Sequence, residues 1–173
     1  MKILNTSLIF STFLILSSCQ NYSQTITIVD INSAYNYKGI NKIYKIDKHK
    51  KKVVSYLASY YSLNDLLEKT PKGKIDKIIA NNPHYEFIFY CDRVKPADTT
   101  KFKELLQVYN CNFSVILDFE DLFYKENTCI LNPYGSGRLS KISLICDKKN
   151  RVLDCAVIGT SMSFFDKVFA KYR

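Results

Sequence analysis

Three consecutive stretches decide the reading: EFIFYC (86–91), DTTKFKELLQVYN (98–110) and NFSVILD (112–118). Glu86–Cys91 is a nearly continuous apolar and aromatic run of strand length, the composition of a strand covered on both faces. In the second stretch Phe102, Leu105, Leu106 and Tyr109 stand at i, i+3, i+4 and i+7, which is one face of a helix. Asp98, Thr99 or Thr100 is available to cap it. Residues 112–118 read as the next strand. A strand–helix–strand unit of this kind implies parallel pairing and a right-handed crossover.

Downstream, Lys141–Asp147 and Val152–Gly159 flank Lys148-Lys149-Asn150-Arg151, a hairpin signal. Ser163–Tyr172 closes the chain as a helix. Residues 120–126 read as a short helical turn and 132–138 as an irregular loop. Upstream, 74–81 reads as a short helix that ends before Pro83. Val53, Leu57, Tyr60, Tyr61 and Leu67 are at helical spacing, so Lys52–Lys69 is expected to be a helix, broken near a capping box at Ser62-x-x-Asp65. Asn41–Asp47 and Thr25–Ile31 alternate like strands, with a loop over 33–39 between them. The order from residue 41 is strand, helix, strand, helix, strand, hairpin, helix. That predicts an α/β three-layer sandwich, a mixed central sheet with flanking helices.

The composition suits one globular domain: 173 residues, 47% hydrophobic, with 13 Tyr and 11 Phe. Such aromatic content excludes a disordered chain. The formal charge is +9, and seven lysines fall between Lys38 and Lys52, opposed only by Asp47. This run reads first as a solvated basic face, with attraction to anionic headgroups or an acidic partner as the functional alternative.

Residues 1–19 read MKILNTSLIFSTFLILSSC. Lys2 supplies a positive start and 8–16 an apolar core too short for a transmembrane span. Leu16-Ser17-Ser18-Cys19 resembles the lipobox of bacterial lipoproteins. The resemblance implies a signal peptide over 1–18, a diacylglyceryl thioether on Cys19, cleavage before it and acylation of the new amine. Residues 19–40 are then a lipidated tether with a possible extra strand, and 41–173 the folded domain. Gln20 rather than Asp after the cysteine implies the outer more than the inner membrane. The implied partners are a lipid bilayer and an envelope protein of unknown identity; nucleic acid is not expected for an exported chain.

The element order, with FIFYCD, TTKFKELLQVYNCNFSVILD and KISLICDKKNRVLDCAVIG, resembles the thioredoxin fold, in particular its redoxin branch of membrane-tethered thiol–disulfide oxidoreductases and peroxiredoxin-like proteins. In that family a Cys-x-x-Cys follows the first core strand and opens the first helix. Aligned with helix 52–69, the corresponding stretch is Asp47–Val53, which has no cysteine. The family's cis-proline before the hairpin is replaced by Leu139-Ser140-Lys141. The resemblance therefore implies a thioredoxin-like domain without dithiol exchange, used for protein interaction or ligand binding.

Apart from Cys19 the cysteines are Cys91, Cys111, Cys129, Cys146 and Cys155, with no Cys-x-x-Cys and no zinc spacing. Cys146 and Cys155 fall on the two hairpin strands, where a cross-strand disulfide or two buried thiols are both open readings. Cys91 ends a buried strand beside Asp92 and Arg93. It is the one candidate for a lone reactive thiol, the alternative in which the protein is a redox enzyme working through a single cysteine. His49 and His84 show no ligand spacing, and Asp118, Glu120 and Asp121 read as capping residues before general acids or bases. Neither a metal nor a cofactor is implied.

Overall fold

The computed structural model describes residues 24–31, 34–36, 38–41, 44–132, 135, 137–156, 167 and 169–172. The expected signal peptide over 1–18, Cys19, the expected continuation of the hairpin to 159 and the start of the helix expected over 163–172 lie outside the described residues.

The elements are strands β1 (Ala34–Asn36), β2 (Gly39–Asn41) and β3 (Lys51–Leu57), helices α1 (Tyr60–Lys69) and α2 (Lys74–Asn81), β4 (Tyr85–Cys91), α3 (Thr99–Val108), β5 (Val115–Leu117), the short helices α4 (Leu122–Glu126) and α5 (Thr128–Leu131), and the hairpin strands β6 (Lys141–Cys146) and β7 (Val152–Ala156). One seven-stranded sheet has the order β2-β1-β5-β4-β3-β6-β7. β3, β4 and β5 are parallel, whereas β6 and β7 run antiparallel to their neighbours.

The first third of the expected helix over 52–69 is strand. Val53, Val54, Tyr56 and Leu57 are all buried because β3 is the centre of the sheet, between parallel β4 and antiparallel β6. A strand covered on both faces shows no alternation, so its apolar positions can be threaded onto a helical period. The β-branched pair Val53-Val54 was the contrary signal. The helix begins at Tyr60, where Ser59 is extended and its side chain accepts from the Ser62 amide. The capping residue is therefore Ser59, three residues before the expected one.

The amino-terminal expectations shift similarly. Residues 44–47 form no strand, and Thr25 makes only a single bridge to Arg151. The loop expected over 33–39 instead contains β1 and turns into β2, which pair as a hairpin at the sheet edge. Packing thus begins well before residue 41: Ile26 is buried, and Ile28, Val29 and Ile31 lie against the same core.

Two cores flank the sheet, which makes the three layers. On one face Leu63, Leu66 and Leu67 of α1, Ile75 and Ile78 of α2, Phe102, Leu105 and Leu106 of α3, and Phe169 cover Val53, Phe89, Val115 and Ile145. Both crossovers, β3 to β4 and β4 to β5, move the same way along the sheet. Right-handed connections then place α1, α2 and α3 on one side. On the other face Phe123, Ile130 and Leu131 and the segment around Ile26 cover Val54, Tyr56, Ile88, Tyr90 and Leu144. The expected mixed α/β sandwich is the architecture observed.

Candidate functional site

The carboxyl ends of parallel strands leave backbone groups and loops free to build a site, and ligands of open α/β sheets bind there. In this protein Leu57, Cys91 and Leu117 end β3, β4 and β5 side by side. The Asp92 amide donates to the Leu57 carbonyl at 2.9 Å and the Asp118 amide to the Cys91 carbonyl at 2.9 Å. The backbones that carry these two carboxylates are thereby fixed at the sheet end.

Asp118 caps α4, accepting from the Phe123 amide at 2.7 Å, as its sequence context led one to expect. Asp121 accepts from the Arg93 amide at 2.9 Å and from Arg138 Nη2 at 2.7 Å. Both Arg93 (φ 51) and Asp121 (φ 56) are in the left-handed region, sparsely populated by non-glycine residues and often found where a site is held in shape. The Arg138 guanidinium lies 3.7 Å from the Tyr124 ring centroid, a desolvated cation–π contact. Beneath it Tyr56, Phe123 and Tyr90 form an aromatic stack, with Tyr90 and Phe123 centroids 4.2 Å apart and 9° from parallel.

At the centre stands Asp92, fully buried, with Arg138 Nη1 3.7 Å from its Oδ2. Both Asp92 carboxyl oxygens, the Tyr56 hydroxyl and Arg138 Nη1 have no hydrogen-bond partner among the described residues. Buried polar groups are rarely left in that condition. Burial first, then the charges of Asp118 and Asp121, push the Asp92 carboxyl up to about 8; Arg138 offsets only part of this. Burial would raise Asp121 too, but Arg138 and the Arg93 amide bring it below the usual carboxylate range. A mostly neutral acid and an ionised one therefore flank one guanidinium. Such a set can donate and accept toward one small polar group.

The same edge carries the start of α1. Ser59-Tyr60-Tyr61-Ser62 occupies the place, after the first parallel strand, where the redoxin resemblance leads one to expect Cys-x-x-Cys. Asp47–Val53 does not hold that place: residues 48–50 form the turn into β3, and the strand itself starts at Lys51. Tyr60 packs edge-on against Phe102, with centroids 5.1 Å apart. Tyr61 is 80% exposed, the larger of two big apolar side chains open to solvent among the described residues.

The cysteines are not drawn into this site as reactive groups. Cys91 is fully buried and packs in the core under α1 and α3. Burial, and secondarily Asp92, holds its thiol far above the ordinary range, whereas Arg93 projects away into solvent. Cys146 is a free buried thiol, so no bridge joins it to Cys155. A register shift after Ile145 sets Val152 opposite Cys146, while Cys155 lies opposite Leu144. The two cysteines share a core but stand one step apart along the hairpin. No group of three or more His, Cys, Asp or Glu suited to a metal occurs among the described residues.

Sequence reading singled out Asp118 and Asp121 but missed Tyr56, Asp92 and Arg138 as a cluster. Asp92 was legible as the polar residue that ends a buried strand. Arg138 comes from a loop whose path no local pattern specifies.

No known family model and no curated protein matches the sequence. Solved structures do match in fold. A Chlorobium tepidum structure described as a thiol:disulfide interchange protein DsbE has a TM-score of 0.54 at 16% identity, covering 85% of this chain and 96% of its own. The mitochondrial 2-Cys peroxiredoxin of Plasmodium falciparum has a TM-score of 0.58 at 15% identity, with 87% and 92% covered. A thiol-disulfide oxidoreductase from Bacteroides fragilis has a TM-score of 0.52 at 13% identity, with 84% and 99% covered. The protein therefore has a thioredoxin-like fold.

Proposed function

We infer that this protein is an envelope lipoprotein, anchored through acylated Cys19, whose thioredoxin-like domain binds a protein or small ligand instead of exchanging disulfides. The observation that carries the reading is the start of α1. Where a dithiol would gain acidity from a helix amino terminus, this chain has Ser59 and Ser62, and the Ser59 hydroxyl serves as the cap. Serine hydroxyls cannot form the mixed disulfide on which such exchange depends.

The binding surface in this reading is the carboxyl edge of β3–β5. It combines an exposed aromatic, Tyr61, with the incompletely hydrogen-bonded Asp92–Arg138–Tyr56 cluster. Aromatic and arginine side chains are the groups most often dominant at protein interfaces. The resemblance of Leu16-Ser17-Ser18-Cys19 to a lipobox supports an envelope location, and Gln20 after the cysteine favours the outer membrane in this reading.

The test is direct. The purified mature lipoprotein is expected to reduce insulin or a model disulfide no faster than buffer containing the same dithiol. Turnover that disappears in Cys91→Ser would overturn the reading in favour of a single-cysteine redox enzyme. Independently, Cys19→Ser is expected to move the protein from the membrane to the soluble fraction. Unchanged membrane retention would remove the lipid anchor from the account.

A further inference from the structure

Two turns distant in sequence meet at the amino edge of the sheet. Residues 47–50 lead into β3, and 147–151 join β6 to β7. The β3/β6 register sets Lys52 opposite Cys146, which makes the two turns neighbours. Lys48, Lys50, Lys148 and Lys149 project from them without an ion-pair partner among the described residues. The carboxylates at this edge are already engaged. Asp47 accepts from the His49 amide, and Glu86 from the Asp47 amide. Asp147 accepts from the Lys149 and Arg151 amides and pairs with the Arg151 side chain at 2.7 Å. Lys48, Lys50, Lys148 and Lys149 against Asp47 and Glu86 leave this edge net cationic.

The amino-terminal segment joins the body of the protein at this same edge. The Val152 amide donates to the Gln24 carbonyl at 2.7 Å, the Ile26 amide to the Asn150 carbonyl at 3.0 Å, and Thr25 bridges to Arg151. Cys19 lies five residues before Gln24. Even fully extended, that stretch reaches only about 17 Å. A lipid on Cys19 therefore holds Gln24, where the segment joins this edge, within about 17 Å of the bilayer, roughly two Debye lengths at physiological salt.

We propose that the paired turns 47–50 and 147–151 form a membrane-orienting face that rests on anionic phospholipid headgroups and turns the carboxyl edge, with Tyr61, Asp92 and Arg138, away from the bilayer. The inference rests on the lipoprotein reading. Headgroups are favoured over an acidic protein because the short tether makes them the nearest anionic surface. Each lysine brought to such a surface strengthens the contact about fivefold.

The experiment uses the full mature lipoprotein in vesicles of phosphatidylcholine, with or without one-third phosphatidylglycerol. Lysines are labelled with a membrane-impermeant amine reagent and mapped by mass spectrometry, together with the acyl state of Cys19. The expected result is protection of Lys48, Lys50, Lys148 and Lys149 in the anionic vesicles only. Lys101 in α3 should stay fully reactive, and 1 M salt should abolish the protection. Lys148→Gln with Lys149→Gln should weaken the contact about 25-fold and expose Lys48 and Lys50. An acylated Cys19 with equal labelling in both vesicles overturns the orientation and leaves the lipoprotein reading intact. An unacylated Cys19 overturns both. Protection that persists in neutral vesicles or in detergent would point to a second copy of the chain on this face and also overturn the proposal.

Discussion

Arg138 Nη1 stands 3.7 Å from Oδ2 of Asp92, inside ion-pair range but outside hydrogen-bond range. The guanidinium is pulled toward Asp121, which its Nη2 meets at 2.7 Å, and lies over the Tyr124 ring. Asp92 is left as a buried acid without a full partner, and this has a measurable consequence for stability.

In an unfolded chain an aspartate ionises near 3.9, whereas Asp92 in the fold titrates near 8. Between those values the unfolded state has released a proton that the native state keeps. The Asp92 contribution to stability is therefore largest below about pH 4 and is lost as pH rises through 8. Asp65, Asp121 and Asp147, whose values are lowered, act in the opposite sense, so the comparison must be between two proteins. Asp92→Asn is expected to be more stable than the parent at pH 8.5, by on the order of 1–3 kcal/mol, with the difference vanishing near pH 4.5. Urea unfolding at the two pH values measures this. A variant less stable than the parent by the same amount at both would show that Asp92 is ionised and paired throughout.

Arg138→Met keeps the aliphatic stem over Tyr124 but strands the Asp121 carboxylate. Removing one partner of a largely buried pair leaves an uncompensated charge, so the variant should lose about 2–4 kcal/mol. Part of this should return in Arg138→Met combined with Asp121→Asn. Equal losses in the single and double variants would mean that the pair contributes nothing beyond packing.

Thiol accessibility separates the cysteines. Cys129 is exposed, whereas Cys91, Cys111 and Cys146 are buried, and burial raises the last two thiols to about 12. Under native conditions an alkylating reagent should modify Cys129 first, with these three slower by about a hundredfold or more because each must await an opening of the fold. Rapid native modification of Cys91 would revive the single-thiol alternative.

Tyr61 offers a test of the binding edge that leaves the fold alone. At 80% exposure its side chain is mostly in water, so Tyr61→Ala should change stability by no more than about 0.5 kcal/mol. A photo-crosslinking residue at 61 should yield a discrete adduct in intact envelopes, and one at Val108, the other exposed apolar position, should not. Identical adduct patterns from both positions would indicate nonspecific surface contact.

The hairpin β6–β7, the helix over 99–108 and the strand over 85–91 were legible because each carries its own local signal. β6 and β7 are joined by a polar turn, α3 buries a clean stripe of Phe102, Leu105 and Leu106, and β4 is an aromatic-rich run between polar ends. β3 was misread because its environment comes from other parts of the chain: β4 on one side, β6 on the other, and a core on each face. That error displaced the helix start by several residues and assigned the lysine-rich turn to the place belonging to Ser59-Tyr60-Tyr61-Ser62. β1 and β2, three residues each, were too short for any periodicity to register.

Cys19 with its preceding apolar segment, the basic balance, and the lack of a Cys-x-x-Cys are properties of covalent sequence, and sequence alone determined them. Signal recognition and thiol chemistry depend on residue identity and near spacing. The Asp92–Arg138–Tyr56 cluster and the joined lysine turns were decided only by tertiary structure. Tyr56, Asp92 and Arg138 are 36 to 82 positions apart and the two lysine turns about 100 apart; they are brought together by strand register, which is fixed by burying two faces at once and leaves no mark on any one segment.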